Sequence, residues 1–362
     1  MKLVTVVGAR PQFIKASAVS RAIREQAGRM HEVLLHTGQH YDANMSEVFF
    51  TELDIPPPHY NLAVGSGSHG QQTGRMLAGI EEVLIRERPD WLLVYGDTNS
   101  TLAGALAAKK LHIPVAHVEA GLRCHNMAIP EEINRVVTDR ISDVLFCPTA
   151  VAVENLAHEG QRAGVERVGD VMFDCVRHFG TQARRSSAVL ERLRLQEKQF
   201  ALVTVHRGEN TDEPVRLAAM FAALAELADH LTVVLPLHPR ARRKISGTPL
   251  EQRLDRLVCI EPVSYFDMVR LESAARVILT DSGGVQKEAF FHGVPCVTMR
   301  EETEWPETLA DGWNRLVGAD RERIVAEVLS VLAEEPSRAG APPTEAYGDG
   351  FAAQKIVARL LR

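Results

Sequence analysis

The sequence predicts an α/β protein with two Rossmann-like domains, each built on a parallel sheet and together facing a cleft. Three observations carry this prediction. Short runs of consecutive apolar residues recur between longer amphipathic stretches, and strands that are apolar throughout belong to sheets covered on both faces. The pattern stops partway along the chain and then begins again. At 362 residues the chain is also longer than one core usually organises, so two domains are expected.

In the first half, Leu3–Val7, Val33–His36, Trp91–Tyr95, Val115–Val118 and Val144–Cys147 read as strands, with helices over Gln12–Gln26, Gly70–Arg86 and Thr98–Leu111. In the second half the strands are Phe200–Val205, Thr232–Leu237, Val258–Ile260, Val277–Thr280 and Cys296–Met299. Their helices lie near Pro214–Ala228, Tyr265–Ala274 and Val285–His292. Arg177–Gln199, rich in Arg, Ser and Gln without a clear strand, reads as the hinge. Domains are therefore expected over 1–175 and 190–345. The tail opens as a loop after Ser337, and a closing helix within 350–362 is expected to pack back on the first domain.

Composition narrows the function. A net charge of −6 argues against a nucleic-acid binder. The five cysteines are scattered with no C-x-x-C pair, as expected for free thiols in a reducing cytosol. Met1–Gly8 lacks a long apolar region and a cleavage site, so it reads as a strand rather than a signal peptide. No apolar run approaches the roughly eighteen residues of a membrane span.

In paired parallel-sheet domains, chemistry is expected just after strands, at their carboxyl ends. Gly8-Ala9-Arg10-Pro11 opens a helix whose free N–H groups suit an anion, with Arg10 and Lys15 adding positive charge. Asp97 follows another strand; it could cap the next helix, although Thr98, Asn99 and Ser100 offer caps of their own. Glu119 ends a strand beside glycine, in surroundings expected to be apolar, where an acid tends towards a raised pKa suited to proton transfer. Glu131 and Glu132 open a helix, and dipole complementation or plain surface spacing with Arg135 and Asp139 is as good a reading as function.

The second half repeats the arrangement. His206-Arg207 and His238-Pro239-Arg240 follow successive strands and suit a phosphate or a sugar, while Tyr265 opens a later helix. Asp281-Ser282-Gly283-Gly284 is the most specific stretch: small residues let a phosphate approach the amides of Ser282, Gly283 and Gly284 at a helix N-terminus. Glu288, further along that helix, is placed to reach a ribose diol. The plainer reading of Gly-Gly is a tight strand–helix turn. No metal-ligand spacing, nucleophile elbow or dinucleotide G-x-G-x-x-G is present, so neither metal nor cofactor is expected.

Taken in order, Gly8–Lys15, Gln39-His40, Tyr95–Thr98, Val118–Arg123, Pro130–Arg135, His206–Asn210, Asp281–Glu288 and Gly293–Val297 resemble the non-hydrolysing UDP-N-acetylglucosamine 2-epimerase family. The resemblance covers essentially the whole chain. It implies a glycosyltransferase-B type fold, UDP held mainly by the second domain, and a homodimer. It implies C2 inversion of UDP-N-acetylglucosamine to UDP-N-acetylmannosamine through elimination and re-addition of UDP. Asp97, Glu119 and Glu131 match the acid–base positions, His206 the group supporting the departing phosphate, and Arg10, Lys15, Ser282, Gly283 and Glu288 the UDP-binding positions. Arg135 and Arg207 are further substrate-contact candidates, with His238, Tyr265 and Gly284 on the UDP side.

Two positions depart from the family pattern. Many bacterial members carry an Arg where this chain has Gly208, and a Gln where it has Asp42. Both belong to a second, activating UDP-sugar site in some members, which puts that site in question here. The stretches around Gly8–Ser17, His36–Ser46 and Asp281–Phe291 also resemble a branch acting on UDP-2,3-diacetamido-2,3-dideoxyglucuronate. UDP-N-acetylglucosamine, the broader family default, stands first and the diacetamido-uronate second. A glycosyltransferase of the same fold leaves the three carboxylates without a role.

Overall fold

A computed structural model describes residues 1–39, 50–334 and 342–362; His40 and Asp42, singled out above, lie outside them. The chain forms two compact units, Met1–Arg177 with Glu345–Arg362, and His178–Thr344.

The first unit holds seven parallel strands: β1 (Lys2–Val7), β2 (His31–His36), β3 (Tyr60–Asn61), β4 (Trp91–Tyr95), β5 (Val115–Val118), β6 (Val144–Cys147) and β7 (Val165–Arg167). Their order is β3-β2-β1-β4-β5-β6-β7. Central strands are buried almost throughout, as their unbroken apolar runs require; β4 and β5 lie against each other with Val94 opposite His117 and Tyr95 opposite Val118. Val4, Val6, Leu92 and Val94 share one core with Met76, Ile80 and Leu84 of the helix His69–Glu87. The helix Asn99–Lys110 is built from small residues, and Gly104 lets it approach closely enough that a Cβ there would stand 3.1 Å from Val94 Cγ1.

The second unit repeats the plan with β8 (Phe200–Thr204), β9 (Thr232–Pro236), β10 (Val258–Ile260), β11 (Val277–Thr280), β12 (Cys296–Thr298) and β13 (Asn314–Leu316). All six are parallel, in the order β10-β9-β8-β11-β12-β13. The doubly wound parallel arrangement is the one the sequence predicts. In both sheets the chain reverses its direction of winding beside the first strand, between β1 and β4 and between β8 and β11. Ligands of open α/β sheets bind at such reversals.

The stretch from Arg177 is helical at its start, because the helix Val171–Ser186 begins in one unit and ends in the other. The closing helix is Ala352–Leu360. Its first amides, on Ala352 and Ala353, donate to the Asp174 carboxylate at 3.1 and 2.8 Å, which anchors it within the first unit.

Candidate functional site

In the first unit the loops after β1, β4 and β5 are tied together. Gln12 accepts from the amides of Gly8 and Ala9 and donates to the Tyr95 carbonyl at 2.9 Å, stapling the entry of the helix Arg10–Arg24 to the end of β4. From that helix Lys15 reaches across, and its Nζ stands 2.5 Å from Glu119 Oε1 with both side chains buried. Glu119 has a left-handed φ of +71°. Gly96 lies against the pair: a Cβ there would sit 3.1 Å from Lys15 Nζ and 3.5 Å from Glu119 Oε1. The expectation of apolar surroundings for Glu119 is therefore corrected, since an ammonium group is its neighbour.

Asp97 does not cap the next helix; Thr98 does, accepting from the Thr101 amide at 3.3 Å. Asp97 Oδ2 instead receives Arg135 Nε and Nη2 at 3.0 and 2.7 Å, while Arg135 Nη1 donates to Glu132 at 2.7 Å. Surface spacing fails as a reading of Glu132 and Asp139, because both are buried. Burial alone would raise the Glu132 pKa, but Arg135 and the amides of Cys124 and His125 outweigh it and hold the group below its ordinary value. Glu131 is half-buried at the start of the same helix, and Arg10 is half-buried at the start of its own.

In the second unit, Asp281 joins the loop after β11 to the loop after β8. It accepts from the amides of His206 and Arg207 at 3.1 and 3.0 Å, and His206 Nδ1 stands 3.2 Å from it. Burial would raise the Asp281 pKa; His206 and the surrounding donors bring it below its ordinary value. The His206 ring remains 41% exposed and lies 5.9 Å from that of His238, whose own Nδ1 accepts from the Arg240 amide. The Ser282 amide donates to Thr280 Oγ1 at 2.9 Å, so the amides left at the mouth of the helix Gly283–Phe291 are those of Gly283 and Gly284. Glu288 is buried on that helix. Tyr265 is buried edge-on against Phe179, with ring centroids 5.8 Å apart.

Glu304 and Trp305 flank Gly283, each with an atom 3.5 Å from where a Cβ on it would sit, and were not anticipated. Arg300 pairs with Glu304 through two bonds of 2.9 and 3.0 Å, and Glu304 stands 3.7 Å from Arg207. They follow β12, so the same carboxyl-end rule that found the other loops would have found them. Among the described residues no cluster of His, Cys, Asp and Glu could hold a metal ion, and no helix is long and apolar enough to cross a membrane.

Two doubly wound sheets, carboxylates gathered at one reversal and a glycine-led helix at the other, define an α/β enzyme of the glycosyltransferase-B type. A family model described as UDP-N-acetylglucosamine 2-epimerase matches residues 21–361. The chain is 51% identical to UDP-2,3-diacetamido-2,3-dideoxy-D-glucuronate 2-epimerase of Pseudomonas aeruginosa, covering 100% of both chains. The crystal structure of Methanocaldococcus jannaschii UDP-GlcNAc 2-epimerase in complex with UDP-GlcNAc and UDP matches with a TM-score of 0.92 and 41% identity over 99% of each chain. UDP-GlcNAc 2-epimerase from Neisseria meningitidis bound to UDP-GlcNAc matches at 0.90 and 31%, covering 100% of both. The chain belongs to the UDP-N-acetylglucosamine 2-epimerase family, and so to the sugar isomerases.

Proposed function

We propose that the chain inverts C2 of a UDP-linked 2-acetamido sugar, with UDP-2,3-diacetamido-2,3-dideoxy-D-glucuronate as its substrate. The observation that carries the reaction is the Lys15–Glu119 pair, a buried carboxylate held beside the chain reversal of the sheet with Asp97 on the neighbouring loop. In the forward half a carboxylate takes the C2 proton, the C1–O bond to UDP breaks and a C1=C2 double bond forms. In the return half UDP oxygen rebonds to C1 and a proton reaches C2 from the opposite face. The sequence needs two proton-transfer groups and stabilisation of the departing diphosphate.

Asp97, Glu119 and Glu131 are assigned the proton transfers, with Arg135 orienting Asp97. UDP is assigned mainly to the second unit, with its diphosphate on the Gly283 and Gly284 amides, Ser282, His206 and Arg207. Glu288 is assigned the ribose. Arg10, Lys15, His238 and Tyr265 stay on the UDP side of the proposal. The substrate order differs from the one the sequence favoured, on the ground of the 51% identity to the diacetamido-uronate enzyme, with a UDP-N-acetylglucosamine 2-epimerase homolog of Methanococcus maripaludis next to it at 49%. UDP-N-acetylglucosamine is the second reading. A homodimer in a reducing compartment completes the proposal, supported for the compartment by the five free thiols; light scattering reports the dimer.

The test is NMR of each UDP-sugar with the protein in deuterated water. Elimination places solvent deuterium at C2 of the diacetamido-uronate and yields both epimers. Incorporation from UDP-N-acetylglucosamine alone reverses the substrate order, and incorporation from neither ends the epimerase reading.

A further inference from the structure

We propose that Asp139 is a positioning residue which holds Glu119 in its strained conformation by gripping the chain on both sides of it; this rests on the reading of Glu119 as an acid–base group. Asp139 lies in the last turn of the helix Pro130–Ile141 with its side chain closed to solvent. Its carboxylate accepts three N–H groups: His117 Nδ1 at 2.7 Å, the Gly121 amide at 3.1 Å and Arg123 Nη1 at 2.7 Å. His117 stands two residues before Glu119 and Gly121 two residues after it. A single carboxylate thus pins the two ends of the turn that carries Glu119.

The turn needs such a grip. A left-handed residue with a full side chain is strained and persists only where its surroundings over-determine it. Glu119 and Ala120 both donate their amides to the Phe146 carbonyl, each at 3.1 Å. Gly121 is left-handed as well, and a Cβ on it would fall 2.3 Å from the Ala152 carbonyl oxygen, so the turn is pressed against its neighbour. The grip also reaches the next loop. His117 Nε2 stands 2.7 Å from the Gly96 carbonyl oxygen, so the ring links Asp139 to the peptide that leads into Asp97. Arg123, itself paired with Glu159 at 2.7 and 2.8 Å, balances the charge. Burial would raise the Asp139 pKa, yet His117 and Arg123 hold it below its ordinary value. With the clamp cut, the turn is free to relax and to swing the Glu119 carboxylate away from Lys15.

The experiment places Asp139→Asn and His117→Gln singly in the parent and in an Glu119→Gln background. Readouts are kcat and KM for C2 deuterium incorporation and the Kd of UDP. His117→Gln keeps a donor for the Gly96 carbonyl and gives up the bond to Asp139, so it carries the test if Asp139→Asn does not fold. Misplacing a reacting group by about 1 Å costs roughly a hundredfold, so each variant should lower kcat at least about thirtyfold, with KM and UDP Kd held within about threefold. In the Glu119→Gln background the same changes should alter the residual rate by less than about threefold, since residues acting through one another are not additive. A kcat within threefold of the parent, or an equal loss in both backgrounds, overturns the proposal. Hydrogen exchange at the Gly121 amide separates the two failures. If Glu119→Gln turns over like the parent the acid–base reading falls, whereas unchanged Gly121 exchange in Asp139→Asn removes the clamp itself.

Discussion

Lys15 Nζ and Glu119 Oε1 stand 2.5 Å apart, with both side chains buried, although 104 positions separate them in the chain. The sheet brings them together. Lys15 follows β1, Glu119 follows β5, and β4 lies between those strands, followed by a bare Gly96 that leaves room for the pair to meet over it.

Breaking a buried ion pair leaves one charge without compensation, at a cost of about 3–5 kcal/mol, whereas replacing both partners by apolar groups is often neutral. Lys15→Met should therefore lower unfolding stability by about 3 kcal/mol. The double variant Lys15→Met with Glu119→Met should regain most of that loss. Neither should incorporate deuterium at C2. Chemical denaturation of the two proteins checks the energies; a double variant no more stable than the single one would show that the pair is not what stabilises this loop.

Arg135 serves two carboxylates at once through a planar fork, two bonds to Asp97 and one to Glu132. A lysine ammonium has the charge but not the geometry. Arg135→Lys is expected to lower kcat about a hundredfold by letting Asp97 move, while UDP affinity, assigned to the other unit, stays within about threefold. Steady-state rates and UDP calorimetry decide it, and an undiminished kcat would remove Asp97 from the reaction.

What the sequence revealed and what it hid divide along physical lines. The strands β4, β5, β6 and β11 and the helix Tyr265–Ala274 match the expected bounds residue for residue, because a strand covered on both faces must be apolar throughout. The strands β3, β7 and β13 were not anticipated; they are two or three residues long and mostly half-buried or exposed, so they carry no such run. The helix Val171–Ser186 was masked by its exposed Arg and Ser, although Met172, Cys175, Val176, Phe179 and Ala183 form a buried stripe at helical spacing. In the site, strand-end positions were legible and partnerships were not. Lys15 reads as a cation for a phosphate, and only the fold shows the carboxylate of Glu119 set against it; Asp139 reads as surface until the helix Pro130–Ile141 delivers it beneath β5.

Asp174 gives a pH signature. Burial, reinforced by the charge of Asp170, pushes its pKa up to about 6 against the two amides it accepts. An acid whose pKa is higher folded than unfolded favours the fold below its unfolded value near 3.8, and that advantage is lost as pH rises through about 6. The shift corresponds to about 2–3 kcal/mol across that window. Asp174→Asn carries no such titration. Its melting temperature relative to the parent should therefore climb between pH 4 and pH 6.5 and level off above. A parallel pair of melting curves would mean that Asp174 stays ionised throughout.

Gly283 separates binding from folding. A Cβ on it would meet Glu304 Oε2 and Trp305 Nε1 at 3.5 Å and Arg207 Nη2 at 3.7 Å, which are ordinary contacts, and its φ is not left-handed. The protein itself therefore does not require glycine here. Alanine is the better helix former by up to about 1 kcal/mol, so Gly283→Ala should melt at or slightly above the parent temperature. A phosphate drawn to the first amides of this helix, however, must come closer to the backbone than a methyl group allows. UDP affinity should accordingly fall by about tenfold or more, since a single lost charge-assisted hydrogen bond is worth about 1.5–3 kcal/mol. By contrast, a Cβ on Gly8 would fall 2.2 Å from both Ser100 Oγ and Thr37 Oγ1, so Gly8→Ala should lower stability first. Thermal melts and UDP calorimetry on the two variants give opposite patterns if the glycine-led helix is the diphosphate site. Unchanged UDP affinity in a well-folded Gly283→Ala protein would place the diphosphate elsewhere.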